Sequence, residues 1–140
     1  MAAVLAAPTI KLLIFFGLAV SYSLKKRISY LGVISPLLNG ALKASLVLTV
    51  TSVGLQRLTL IFIVMTIRNL LGDVRDAEKD AKEGVYSLPV VIGYRRATPF
   101  VYPAGLGMSS TLWTVIGGLP FWALAATWSI QALTYRLTPR

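Results

Sequence analysis

The chain has 140 residues, of which 56% are hydrophobic and only 14% are charged, with 14 basic residues against 5 acidic ones. A chain with a mean hydropathy of +0.72 is too apolar for a water-soluble globule of this length and too apolar to be disordered. Because it has no Cys and no His, a disulfide framework, a structural zinc site and a Cys/His catalytic pair are excluded. We therefore expect a lipid environment, in which ~20 apolar residues form one spanning helix.

Five apolar runs follow one another along the chain, and each is predicted to be a membrane-spanning helix. They cover approximately residues 4–22, 30–50, 55–71, 98–116 and 121–135. A polar segment over residues 72–96 separates the third run from the fourth, and Gly117-Gly118-Leu119-Pro120 predicts a tight turn before the fifth. The expected fold class is all-α, an integral membrane helical bundle of about five transmembrane helices that forms one domain over residues 1–140.

The basic residues form short clusters between the apolar runs. Most of them lie at Lys25–Arg27, in the polar segment up to Arg96 and in the C-terminal tail. This arrangement is typical of membrane flanks and not of a nucleic-acid-binding surface, so we expect the lipid bilayer as a partner and no nucleic acid. Because Lys and Arg favour the cytoplasmic side, the polar segment and the C-terminus are predicted to be cytoplasmic and the N-terminus to lie on the opposite side.

The acidic residues are all confined to one stretch of the polar segment, between Asp73 and Glu83. If the third helix continues past Leu71, four oxygen-bearing side chains fall on one of its faces. These four are Asn69, Asp73, Asp76 and Asp80. Such ligands suit Mg²⁺, which commonly takes one or two carboxylates together with substrate phosphates. The alternative interpretation is a solvated acidic helix end whose charge is balanced by neighbouring Lys and Arg residues.

Two motifs in this order resemble the UbiA superfamily of intramembrane prenyltransferases. Residues 68–80, RNLLGDVRDAEKD, look like the second aspartate-rich motif of that family, DxxDxxxD. The continuation from Gly84 through Ser87-Leu88-Pro89 to Gly93 is similar to the Gly–(Thr/Ser)-Leu-Pro–Gly pattern that follows it. Upstream, Tyr22-Ser23-Leu24-Lys25-Lys26 matches the YxxxK pattern of the family. The resemblance implies the later half of the UbiA fold.

The resemblance also implies a chemistry, the Mg²⁺-dependent transfer of an isoprenyl group from a prenyl diphosphate to a membrane-embedded, often aromatic, acceptor. The three residues Asp73, Asp76 and Asp80 would be the metal ligands. Lys26 would neutralise the diphosphate, with Tyr22 and Asn69 lining the same diphosphate-binding site. Taken alone, Lys26 is equally well explained as an orientation-setting flank, and Tyr22 as an interfacial anchor.

The first aspartate-rich motif of the family has no counterpart here, because all five acidic residues belong to the second. We therefore do not expect the chain to be an active enzyme alone. It is interpreted as half of a split prenyltransferase completed by another membrane polypeptide, or as a fragment of a longer enzyme. The alternative is a non-catalytic accessory subunit of a larger respiratory or photosynthetic membrane complex that holds lipid, quinone or pigment.

Overall fold

The structure, a computed structural model, describes the backbone of residues 2–93 and 101–137, and the side chains of residues 9–25, 27–93, 104–130 and 133. The described ranges are helical almost throughout. In chain order they contain α1 (Ala2–Ser23), a 3₁₀ turn (Leu24–Lys26), α2 (Ser29–Val33), α3 (Ser35–Val50), α4 (Leu55–Glu83), α5 (Leu88–Val91), α6 (Val101–Gly117) and α7 (Phe121–Leu137).

Helix α4 is the centre of the fold. It packs against α3 on one side and α6 on the other, while α1 contacts α3 and α7 contacts α6. The apolar residues Leu60, Val64 and Leu71 of α4 are buried, and their spacing follows the helical period, so they form one stripe that faces the neighbouring helices. Ala44 of α3 and Leu106 of α6 also belong to this narrow core.

The predicted bundle of membrane-spanning helices is wrong. Over residues 2–93 and 101–137 the structure contains no helix that combines the length and the hydropathy needed to cross a membrane. The apolar helix α3, for example, has 16 residues, fewer than the ~17–25 that a span takes. The longest helix, α4, carries all the acidic residues of the chain in its second half. The other part of the prediction, an all-helical fold, is confirmed over the described residues.

Two helix boundaries differ from the predicted runs. The run over residues 30–50 is divided at Ile34 into α2 and α3, because Pro36 lies in the first turn of α3, where its missing N–H and fixed φ favour a helix start. The run over residues 55–71 continues as one helix to Glu83. The polar segment is therefore largely helical, and its acidic residues extend directly from the buried stripe.

The end of α4 is a sharp chain reversal at Gly84. Gly84 has a φ of 70° and a ψ of 22°, in the left-handed region, and its N–H donates to the carbonyl oxygen of Asp80. The same carbonyl accepts a second bond of 2.8 Å from the N–H of Val85. This double acceptance satisfies the end of the helix and sends residues 85–87 back towards α2.

We expect Gly84→Ala to lower the free energy of unfolding by about 1 kcal/mol, because a Cβ disfavours the left-handed conformation. Gly84→Asn should lose less, since Asn tolerates that conformation better. Urea denaturation of the three proteins measures both differences. Equal stability of the Ala variant and the parent chain would show that the reversal does not depend on glycine.

Candidate functional site

A pocket of about 120 Å³ lies where the second half of α4 meets the 3₁₀ turn, the α2–α3 junction and the loop after Gly84. Helix α4 contributes Asp73, Asp76, Lys79 and Asp80, the 3₁₀ turn contributes Lys25, α2 and α3 contribute Gly32 and Ser35, and the loop contributes Val85 and Ser87. The spacing of the aspartates on a continuous helix places them on one face. The three carboxylates predicted as metal ligands therefore line one pocket.

Asp73 is the most buried of the three aspartates, with 8% of its surface exposed. The Ser35 hydroxyl donates to its Oδ2 at 3.0 Å, and Lys25 Nζ lies 3.9 Å from its Oδ1. Burial raises the pKa of the Asp73 carboxyl above its usual value; Lys25 and the Ser35 hydrogen bond oppose this shift, while the negative charges of Asp80 and Asp76 add to it. Asp73 is thus a carboxylate that the fold holds at an electrostatic cost.

Asp76 and Asp80 differ from each other in how their charges are balanced. Arg75 forms a two-pronged ion pair with Asp76, from Nε to Oδ1 at 2.7 Å and from Nη2 to Oδ2 at 2.9 Å. In the described part of the chain no basic side chain forms an ion pair with Asp80. Asp80 is therefore the pocket carboxylate most available to a ligand.

The two glutamates of the acidic stretch lie outside the pocket. Glu78 pairs with Lys82 at 3.3 Å and Glu83 pairs with Lys79 at 3.8 Å, both one helical turn apart on an exposed surface. Over the described residues, no group of three or more acidic side chains lies close enough together to hold a metal ion alone. The carboxylates of Asp73, Asp76 and Asp80 therefore share a pocket without forming a closed three-carboxylate cage.

Tyr22 and Asn69 form a hydrogen bond beside the pocket, from the Tyr22 hydroxyl to Asn69 Oδ1 at 2.9 Å. Lys25 Nζ donates to the Tyr22 hydroxyl at 3.3 Å and lies 4.7 Å from the centre of its ring. Neither Tyr22 nor Asn69 is among the described residues that line the pocket. Their hydrogen bond joins α1 to α4, and Tyr22 holds Lys25, which does line the pocket.

Lys25 lines the pocket, one residue before the Lys26 that the YxxxK pattern singles out. In an uninterrupted helix Tyr22 and Lys26 would share a face, but α1 ends at Ser23 and the chain continues as a 3₁₀ turn. With three residues per turn, the residue at i+3 aligns with Tyr22, and that residue is Lys25. The side chain of Lys26 lies outside the described residues.

Lys79 and Ser87 are two further pocket residues that the sequence did not reveal. From the sequence, Lys79 belongs only to the charge balance of the acidic stretch, and Ser87 only to the Ser-Leu-Pro pattern. The available signal for Lys79 was its place between Asp76 and Asp80 on the same helix. Ser87 depends on the reversal at Gly84, which no helical spacing predicts.

In comparisons with known proteins, no family model, no curated protein and no solved structure matches this chain.

Proposed function

We propose that the pocket binds the diphosphate group of an isoprenyl diphosphate together with Mg²⁺. The chain then supplies one half of a UbiA-like prenyl-transfer site, and a second polypeptide supplies the other half. The observation that carries this proposal is the joint presence of three carboxylates and two lysines in one small pocket. The carboxylates would hold a divalent cation and the ammonium groups would hold a diphosphate, so a magnesium diphosphate would contact both sets of charges.

The donor set fits Mg²⁺, because every acidic group in the pocket presents hard oxygen ligands. Asp80 and Asp73 are the residues that would hold the ion, with Asp76 beside them. Mg²⁺ commonly takes only one or two carboxylates and completes its shell with water and substrate phosphates, so a closed three-carboxylate group is not required. When bound, it supplies positive charge that stabilises the departing diphosphate.

The lysines supply the remaining charge. Lys25 is held by the Tyr22 hydroxyl and by Asp73, so its ammonium group is already oriented at the pocket before a ligand arrives. Lys79 is paired only loosely with Glu83, at 3.8 Å, and most of its side chain is exposed. Both ammonium groups would donate hydrogen bonds to phosphate oxygens and stabilise the negative charge that develops there.

Exposed apolar side chains adjoin the pocket residues in sequence. Tyr30 and Ile34 flank Gly32, and Tyr86 separates Val85 from Ser87; all three are exposed large side chains. Such a surface suits the hydrocarbon part of a prenyl diphosphate or the apolar face of a partner chain. A charged pocket beside an apolar surface suits a ligand that is charged at one end and apolar at the other.

One observation favours the second candidate function, a non-catalytic subunit of a larger complex. Asp73 is balanced by Lys25 and Asp76 by Arg75, so two of the three carboxylates have partners without any added cation. An accessory subunit predicts no response to Mg²⁺ and diphosphate. Mass spectrometry of co-purifying proteins separates the two candidates further, since a split enzyme requires a partner with another aspartate-rich motif.

The proposal predicts that Mg²⁺ plus farnesyl thiodiphosphate, an unreactive prenyl diphosphate analogue, raises the Tm of the purified chain by several degrees. A ligand at about 100 times its Kd stabilises the folded state by roughly 2.7 kcal/mol. Asp80→Asn should abolish this shift, because it removes the carboxylate that lacks a described cationic partner.

The matched control is Glu78→Gln, which neutralises a carboxylate on the same helix outside the pocket. That variant should keep the full ligand-induced shift. The proposal is contradicted if the parent chain shows no shift, or if the shift persists in Asp80→Asn.

A further inference from the structure

Ser87 has a buried hydroxyl that lacks a partner. Only 4% of the residue is exposed, and its Oγ forms no hydrogen bond with any described group. The residue nevertheless lines the pocket together with Lys25 and Lys79. A buried hydroxyl without a hydrogen bond is costly, so its presence in a pocket points to a partner that is supplied from outside the chain.

The local structure explains why the hydroxyl is not used within the chain. Ser87 occupies the N-cap of α5, where a serine oxygen ordinarily accepts a hydrogen bond from the N–H two or three residues later. Here Ser87 forms no side-chain cap hydrogen bond, and Pro89 lies in the first turn. Because proline has no N–H, one of the two usual capping donors is missing.

The backbone of Ser87 is fixed on both sides. Its N–H donates to the carbonyl oxygen of Val85 at 3.1 Å, and its own carbonyl oxygen accepts from Val91 at 3.1 Å. Pro89, two residues later, is fully buried. The backbone groups of Ser87 are thus satisfied, and the hydroxyl alone remains for a ligand.

We infer that Ser87 binds the diphosphate directly, its hydroxyl donating a hydrogen bond to a phosphate oxygen within the pocket. This inference rests on the proposed function of the pocket. None of the pocket carboxylates accepts a hydrogen bond from Ser87, and the two pocket lysines have no acceptor to offer. A phosphate oxygen between the lysines and Ser87 would accept from all three donors at once.

The test is calorimetric titration of the full chain with inorganic diphosphate in the presence of Mg²⁺. Ser87→Ala is expected to weaken binding roughly ten-fold or more, the usual effect of losing a hydrogen bond to a charged group. Ser45→Ala is the matched control, because Ser45 is also buried but donates to Leu42 within α3. The control should bind with the affinity of the parent chain.

Thermal unfolding without ligand provides a second readout. Removing an unpartnered buried hydroxyl should leave the Tm of Ser87→Ala unchanged or slightly higher, whereas a structural serine would lower it. Equal affinities of the parent chain and Ser87→Ala would overturn the inference and leave the proposed function intact. A lower ligand-free Tm of Ser87→Ala would likewise overturn it. A parent chain that does not bind diphosphate at all would overturn the proposed function and this inference together.

Discussion

Replacing Asp73 by Asn is expected to weaken the binding of Mg²⁺ and farnesyl thiodiphosphate on the order of 100-fold while making the ligand-free protein more stable at neutral pH. The loss of binding follows from the removal of a charged oxygen ligand, an interaction that contributes up to about 3 kcal/mol. The Ser35 hydroxyl can still donate to the amide oxygen of Asn, so the packing around the residue is retained. The substitution should therefore weaken ligand binding and raise the stability of the ligand-free protein.

The gain in stability follows from the raised pKa of the Asp73 carboxyl, which burial causes. Below the ordinary pKa of Asp, about 3.9, the carboxyl is protonated in both the folded and the unfolded state, so the folded protein bears no penalty. As the pH rises, the unfolded state ionises first and the folded state loses stability, until the pH exceeds the folded pKa. Asn does not ionise, so its advantage over Asp should grow from acid to neutral pH.

The measurement is the free energy of unfolding of both proteins at several pH values between about 3 and 7. We expect the Tm of Asp73→Asn to exceed that of the parent chain by roughly 2 to 5 °C at neutral pH. Glu78→Gln, an exposed change in the same helix, should alter stability by less than about 0.5 kcal/mol. A less stable Asp73→Asn at neutral pH would mean that the Lys25 ion pair outweighs the effect of burial.

Gly40→Ala is expected to destabilise the protein by about 1–3 kcal/mol, although Ala is ordinarily the better helix former. Gly40 is buried in α3 where this helix crosses α4. A Cβ at this position would overlap Thr66 Oγ1 and lie 2.7 Å from the carbonyl oxygen of Phe62. The Thr66 side chain can rotate, but the Phe62 carbonyl belongs to the backbone of α4, so the two helices must move apart.

The matched control is Gly17→Ala in α1, where a Cβ would meet nothing within 4 Å. This change should stabilise the protein by about 0.5–1 kcal/mol through helix propensity alone. Chemical denaturation of the parent chain and both variants measures whether each substitution lowers or raises the free energy of unfolding. A Gly40→Ala protein as stable as Gly17→Ala would show that the α3–α4 crossing is not tightly packed.

The helical character and the shared face of the aspartates could be predicted from the sequence, because both follow from local periodicity. Helix α4 does continue past Leu71, and Asp73, Asp76 and Asp80 reach one pocket. The membrane-spanning lengths could not be predicted reliably from apolar runs. One apolar run is split into two helices at Ile34, and another continues into the polar half of α4, so the length of an apolar run is not the length of a helix.

Other site features depend on tertiary structure. A 3₁₀ turn after Ser23 brings Lys25 to the pocket, and a turn of this kind is not visible in a YxxxK pattern. The Arg75–Asp76 ion pair joins adjacent residues, which do not normally face each other on a helix. Ser87 reaches the pocket only because the chain reverses at Gly84.

The double acceptance by the Asp80 carbonyl ties the pocket to the last turn of α4. Fraying of that turn would break the bonds to Gly84 and Val85 and withdraw Asp80, Lys79 and Ser87 from the pocket in a single event. Helix ends are the segments that open most readily in native proteins. The apparent affinity for any ligand is therefore the intrinsic affinity multiplied by the fraction of molecules in which this one turn is wound.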